Sequence, residues 1–149
     1  MKKEEPIHNA ICQYIRTQYP NVIFTSDSSG VRLNIGAAKG LKAKRSNHKI
    51  PDLIIMQPNQ IWHGLMLEIK TSDTKILTKK GTYTSPHIKE QAKTLEMLND
   101  LKYLALFVCG FDEAKKIIDS YMLYTTSKLN IGLSFNGKLH ENDEPAMTC

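Results

Sequence analysis

Apolar positions along the chain follow two rhythms, one helical and one extended. Ile7, Ile11 and Ile15, joined by Ala10 and Tyr14, keep helical spacing and predict a helix over Glu4 to Gln18. Glu4 and Glu5 suit its positive end, and Pro6 suits its first turn. Tyr19-Pro20-Asn21 ends it. Val22 to Thr25 is read as a short strand, Ser26 to Gly30 as a turn, and Asn34 to Arg45 as a short helix weakened by Gly36 and Gly40. Leu53 to Met56 is a buried strand, Pro58-Asn59-Gln60 a turn, and Trp62 to Lys70 the returning strand of a hairpin. Thr71 to Thr84 is an exposed excursion. Ser85 then caps a helix that starts at Pro86, runs to about Asp100, and carries Ile88, Ala92, Leu95 and Leu98 on one face. Tyr103 to Cys109 is apolar almost throughout and predicts a strand buried on both faces. Gly110 permits a tight turn, and Asp112 is expected to cap a helix from Glu113 to Tyr124.

Beyond Thr125 the rhythm breaks. Asn136-Gly137, between Leu133-Ser134-Phe135 and Lys138-Leu139, suggests a small hairpin within a mobile tail. The element order predicts an α/β domain over residues 1–124, a mixed sheet flanked by helices, with residues 125–149 as an extension. A chain of 149 residues with 41% hydrophobic content has enough apolar surface for one core.

The charge narrows the partners. The net charge is +5 and the pI near 9.1, which favours an anionic ligand. No acidic residue occurs between Ser28 and Pro51, while Arg32, Lys39, Lys42, Lys44, Arg45 and Lys49 do. The bland reading of this stretch is a solvated loop; the functional one is a flap that contacts DNA phosphates. Lys75, Lys79 and Lys80 form a second basic patch. Cys12, Cys109 and Cys149 share no metal or disulfide spacing and suit a reducing compartment. The N-terminal Met-Lys-Lys-Glu-Glu holds no apolar signal core, and no run reaches membrane-spanning length. A soluble cytoplasmic protein is expected. The five histidines make no HExxH pair, Gly36 to Gly40 lacks Walker spacing, and no GxSxG occurs.

One segment breaks the packing logic. On the strand that ends at Lys70, Glu68 and Lys70 share a face while Leu67 and Ile69 take the other. Asp52, after Pro51, opens the paired strand, so the hairpin brings it near Glu68. Two carboxylates at a strand end, with the backbone carbonyl of Ile69 as a further oxygen, suit Mg²⁺ or Mn²⁺. Lys70 beside them suits metal-assisted phosphodiester hydrolysis, with a cation over the developing charge.

Pro51-Asp52, an apolar strand and then Glu68-Ile69-Lys70 resemble the PD-(D/E)XK nuclease superfamily. With Ile50 and Leu53 around the aspartate, His63-Gly64-Leu65 before the second strand, Glu90-Gln91 on the next helix and the Ala105 to Ala114 passage, the chain resembles its VRR-NUC family, common in phages and bacteria. The resemblance covers roughly residues 4 to 122. Lys49-Ile50 stands where the family carries its arginine signature. The resemblance implies a restriction-endonuclease-like core and a DNA endonuclease with Asp52, Glu68, Lys70 and Gln91 in catalytic positions. It places an acidic residue of the first helix at the metal, and Glu4 aligns there better than Glu5. Small members of the family are similar to Holliday-junction resolvases, which implies branched DNA and a homodimer. The alternatives are a nucleic-acid-binding module without turnover, or a regulator of another phage or host protein on the same fold.

Overall fold

The computed structural model describes residues 4–26, 40, 43–44 and 46–126, with residues 125 and 126 by backbone alone. Arg32, Lys39, Lys42 and Arg45 lie outside the described residues, as do the 27–30 turn, most of the expected 34–45 helix, and all of 127–149 with its expected hairpin. The elements are α1 (Glu5–Gln18), β1 (Phe24–Ser26), β2 (Leu53–Ile55), β3 (Leu65–Lys70), α2 (Pro86–Asp100), β4 (Leu104–Cys109) and α3 (Phe111–Thr126). They form a four-stranded sheet in the order β1-β2-β3-β4. The β1–β2 and β2–β3 pairs are antiparallel, and β3–β4 is parallel. A parallel neighbour needs a crossover, which α2 supplies. The mixed α/β sheet expected from the sequence is the one observed.

Each face of the sheet is buried differently. Leu65, Leu67 and Ile69 of β3 pack with Leu53, Ile55, Leu106 and Val108 against Ile11 and Ile15 of α1 and Ile118 and Tyr121 of α3. Met66, Ala105 and Phe107 pack on the other face against Ile88, Ala92 and Leu95 of α2. The chain is thus three layers, helices over both faces of one sheet.

The local grammar explains most boundaries. Ser85 accepts the Ile88 N–H at 3.2 Å, and Pro86 opens α2. Gly64 precedes β3 where a Cβ would come within 2.8 Å of the Ile55 carbonyl, so a side chain there is excluded. Gly110 has φ 87°, which turns β4 directly into α3. The last helix therefore starts at Phe111 instead of after an Asp112 cap, and it runs on to Thr126. Glu113 acts where Asp112 was expected: its Oε2 accepts the Cys109 N–H at 2.5 Å. Together with Asn99, whose side-chain amide exchanges two hydrogen bonds with Ala105 (2.8 and 2.9 Å), it covers part of the outer edge of β4.

A polar clasp ties α1 to α3. Asp119 Oδ1 accepts the hydroxyls of Tyr14 at 2.5 Å and Tyr19 at 2.7 Å, and Oδ2 accepts Lys115 Nζ at 2.7 Å. Burial alone would raise the Asp119 pKa, but the donors from Lys115, Tyr14 and Tyr19 outweigh it and hold it low. Burial and the same carboxylate push both tyrosines up.

The segment after Lys70 departs from the expected open excursion. Ile76 is buried at 2% exposure, within the core under α2. Leu77 and Tyr83 form an antiparallel bridge, which folds residues 76–84 into a small hairpin.

Candidate active site

β3 sits between two strands and under helices on both faces, so all six of its residues are buried. Side-chain alternation sends Met66, Glu68 and Lys70 toward α2. Met66 is what a core strand calls for. Glu68, 2% exposed, and Lys70, 7% exposed, are not. Lys70 Nζ donates to Glu68 Oε1 at 2.8 Å. Taking both charges out of water costs about as much as their attraction returns, so this pair has no advantage over packed hydrophobes as a stabiliser.

The hairpin register sets the second carboxylate. Leu53 pairs with Leu67, and one step further along the antiparallel ladder Asp52 comes opposite Glu68. Asp52 Oδ2 accepts the Ile69 N–H at 2.8 Å, which holds the carboxylate against the end of β3. The N–H and C=O of a strand residue point to the same side, so the Ile69 carbonyl also faces this edge. Burial, and then the nearby Asp52 charge, raises the Glu68 pKa to about 8, against the opposing pull of Lys70.

Gln91 joins them from α2. It lies three residues after Ile88 and four before Leu95, on the buried face, and is 7% exposed. Its Nε2 donates to the same Glu68 oxygen. Its Oε1 is buried and has no hydrogen-bond partner among the described residues. An orphaned acceptor at this depth is costly unless a further group completes it.

The structure adds one residue that the sequence pattern passed over. His8 of α1 places Nε2 3.9 Å from Asp52 Oδ2, with both side chains 18% exposed. It made no ligand motif, and its only sequence signal is its place four residues after Glu4, on the same helix face. Glu4 is the residue before α1 and makes no side-chain cap. Its carbonyl accepts the His8 N–H at 3.0 Å. Glu5 is exposed in the first turn.

The basic candidates lie outside this cluster. Lys44, Lys75, Lys79 and Lys80 are exposed. Lys49 Nζ is 3.9 Å from Glu90 Oε2, an exposed pair that links the segment before Asp52 to the turn of α2 carrying Gln91. Among the described residues no group of three His, Cys, Asp or Glu forms a metal cage. The donors on hand are two carboxylates, a backbone carbonyl and the free Gln91 Oε1. That all-oxygen set fits an ion such as Mg²⁺ that keeps several waters.

No protein-family model matches the sequence, and no curated protein matches it. A solved structure described as a VRR_NUC domain protein has the same architecture, with a TM-score of 0.57 over 83% of this chain and 91% of its own, at 22% identity. The likeness establishes the fold: a mixed α/β sheet flanked by helices, shared with that VRR_NUC domain protein. Among the described residues, no helix is long and apolar enough to cross a membrane.

Proposed function

We propose that the protein is a Mg²⁺- or Mn²⁺-dependent DNA endonuclease that hydrolyses phosphodiester bonds. The observation that carries this reading is the buried constellation on β3: Glu68 bonded by both Lys70 and Gln91, with Asp52 anchored beside it on the Ile69 N–H. Asp52, Glu68 and the Ile69 carbonyl would hold the ion, with Glu4 in support. When bound, it would supply Lewis-acid activation of water and phosphate. Asp52 is held in place by the Ile69 N–H on its Oδ2. Lys70, once Glu68 engages the ion, presents its ammonium to the negative charge that develops on the phosphate. Gln91 offers Oε1 to orient the attacking water. Arg32, Lys39, Lys42, Lys44, Arg45 and Lys49 hold the DNA backbone. Branched DNA, such as a Holliday junction, is the proposed substrate class, and two symmetric cuts need a homodimer.

The test is nicking of supercoiled plasmid with Mg²⁺, Mn²⁺ or EDTA, for wild type and Asp52→Asn. The asparagine keeps an acceptor for the Ile69 N–H, so it removes charge without removing the anchor. Cleavage that needs the metal and vanishes in the variant supports the reading. Cleavage that survives EDTA or the substitution defeats it. A panel of junction, flap, nicked and linear DNA then reads the substrate class, and sedimentation reads the dimer.

A further inference from the structure

The hairpin over residues 76–84 has no part in the metal site, yet it is built with care. Its base is fixed: Ile76 is buried among Met66, Ile88 and Phe107, the apolar floor of the α2 face. Thr84 N–H donates to the Ile76 carbonyl at 3.0 Å, and Thr84 Oγ1 to the Lys75 carbonyl at 2.6 Å. The ladder continues through the Leu77–Tyr83 bridge and the Thr78 N–H, which donates to the Thr82 carbonyl at 2.8 Å. Gly81 N–H closes the turn on the Thr78 carbonyl at 2.9 Å, with Gly81 at φ 76°, and the hydroxyls of Thr78 and Thr82 meet at 2.8 Å. All of this serves to order a tip whose only charged side chains are Lys79 and Lys80, both exposed. A solvated loop would need none of it.

We infer that this hairpin is a rigid docking finger for duplex DNA: Lys79 and Lys80 hold backbone phosphates of a double-stranded arm beside the cut. The chain enters the hairpin from Lys70 and leaves it into the helix that carries Gln91, so the finger stands at the site end of the sheet. Its base shares the core with the neighbours of Glu68, which fixes the backbone that carries the lysines relative to the site. Two cations carried on a fixed backbone suit a duplex, whose phosphates are also fixed. A flexible single strand gains little from that order. The inference rests on the nuclease reading for its choice of partner.

Binding is measured in Ca²⁺, to suppress cleavage, against a duplex and a single strand of equal length. Neutralising the pair, Lys79→Gln with Lys80→Gln, is expected to weaken duplex binding roughly 10-fold and flatten the salt slope by about 1 to 2. Gly81→Val keeps every charge and meets nothing within 4 Å, so it strains only the turn. It is expected to weaken duplex binding while leaving single-strand binding unchanged. Gly81→Asn, which tolerates the left-handed conformation, is expected to restore duplex binding. Melting curves check that each variant folds. If Gly81→Val binds duplex like wild type, the finger is no more than a place where charge resides, and the inference fails. Binding of poly-glutamate as tight as that of duplex would mark a general anion surface and also overturn it. If wild type binds no DNA, the nuclease reading itself fails, which is a separate result.

Discussion

The two faces of β3 use one strand for opposite ends. Toward α1 and α3, Leu65, Leu67 and Ile69 are buried among apolar partners to 0–1% exposure. Toward α2, the same strand gives Met66 and then two ionisable side chains, at 2% and 7% exposure. The first face does what the hydrophobic effect asks and earns the protein its stability. The second leaves a carboxylate that burial pushes toward protonation and an amide oxygen with no described partner. The contrast is what motivates placing the proposed chemistry on the second face, because buried, perturbed ionisable groups cluster at functional sites.

Substitutions on the two faces should separate. The largest effect is expected from Glu68→Gln and Asp52→Asn, each lowering cleavage by more than about 10³-fold, beyond the loss of a single transition-state hydrogen bond. Asp52→Asn should melt near the wild-type temperature in EDTA, since an acceptor for the Ile69 N–H persists; Glu68→Gln should do so at acidic pH, where burial keeps Glu68 protonated. On the opposite face, Leu67→Ala should lose about 2–5 kcal/mol in denaturant unfolding, while cleavage per folded molecule stays close to normal. If Leu67→Ala instead inactivates a well-folded protein, the faces are not separable.

Lys70→Met should slow cleavage by roughly 10²-fold at saturating metal. Mn²⁺ binding by calorimetry should survive, because the substitution removes a cation beside the ion. Collapse of binding would make Lys70 a structural partner of Glu68 only. Gln91→Ala should be milder, about 10-fold in rate, in line with an outer-shell partner.

The pH profile sharpens the same contrast without activity. The folded Glu68 pKa lies above its unfolded value. Its contribution to stability is therefore full below about pH 4.5 and is lost as pH rises through about 8. Unfolding in EDTA should show stability declining across that window, and Glu68→Gln should remove this part of the decline. Mn²⁺ should restore stability at the upper end, since an ion takes the place of the proton. A wild-type profile identical to that of Glu68→Gln would mean that Glu68 is not buried as described.

Much of this was legible in the sequence. The helical spacing of Ile7, Ile11 and Ile15, and Ser85-Pro86 before Ile88, carry their own signals, because backbone geometry and capping are local. Strand alternation likewise placed Glu68 with Lys70, as their 2.8 Å contact shows. Boundaries were less exact: β3 begins at Leu65, three residues after Trp62, where Gly64 closes on the Ile55 carbonyl. That contact is tertiary and leaves no local mark.

Composition and periodicity determined the order of the elements and the two polar residues of β3 that do not belong among apolar neighbours. Only the folded chain decided the rest. It anchored Asp52 on the Ile69 N–H, brought His8 to Asp52 from a helix across the core, and left Gln91 Oε1 without a partner among the described residues. It also turned the stretch after Lys70 from a loop into a hairpin pinned by Ile76. The physical reason is the range of the forces. Helix periods, caps and turns act over a few residues and can be read along the chain. Burial, desolvation and the meetings of Glu68 with Gln91 and of Asp52 with His8 depend on residues that come together only when the layers close.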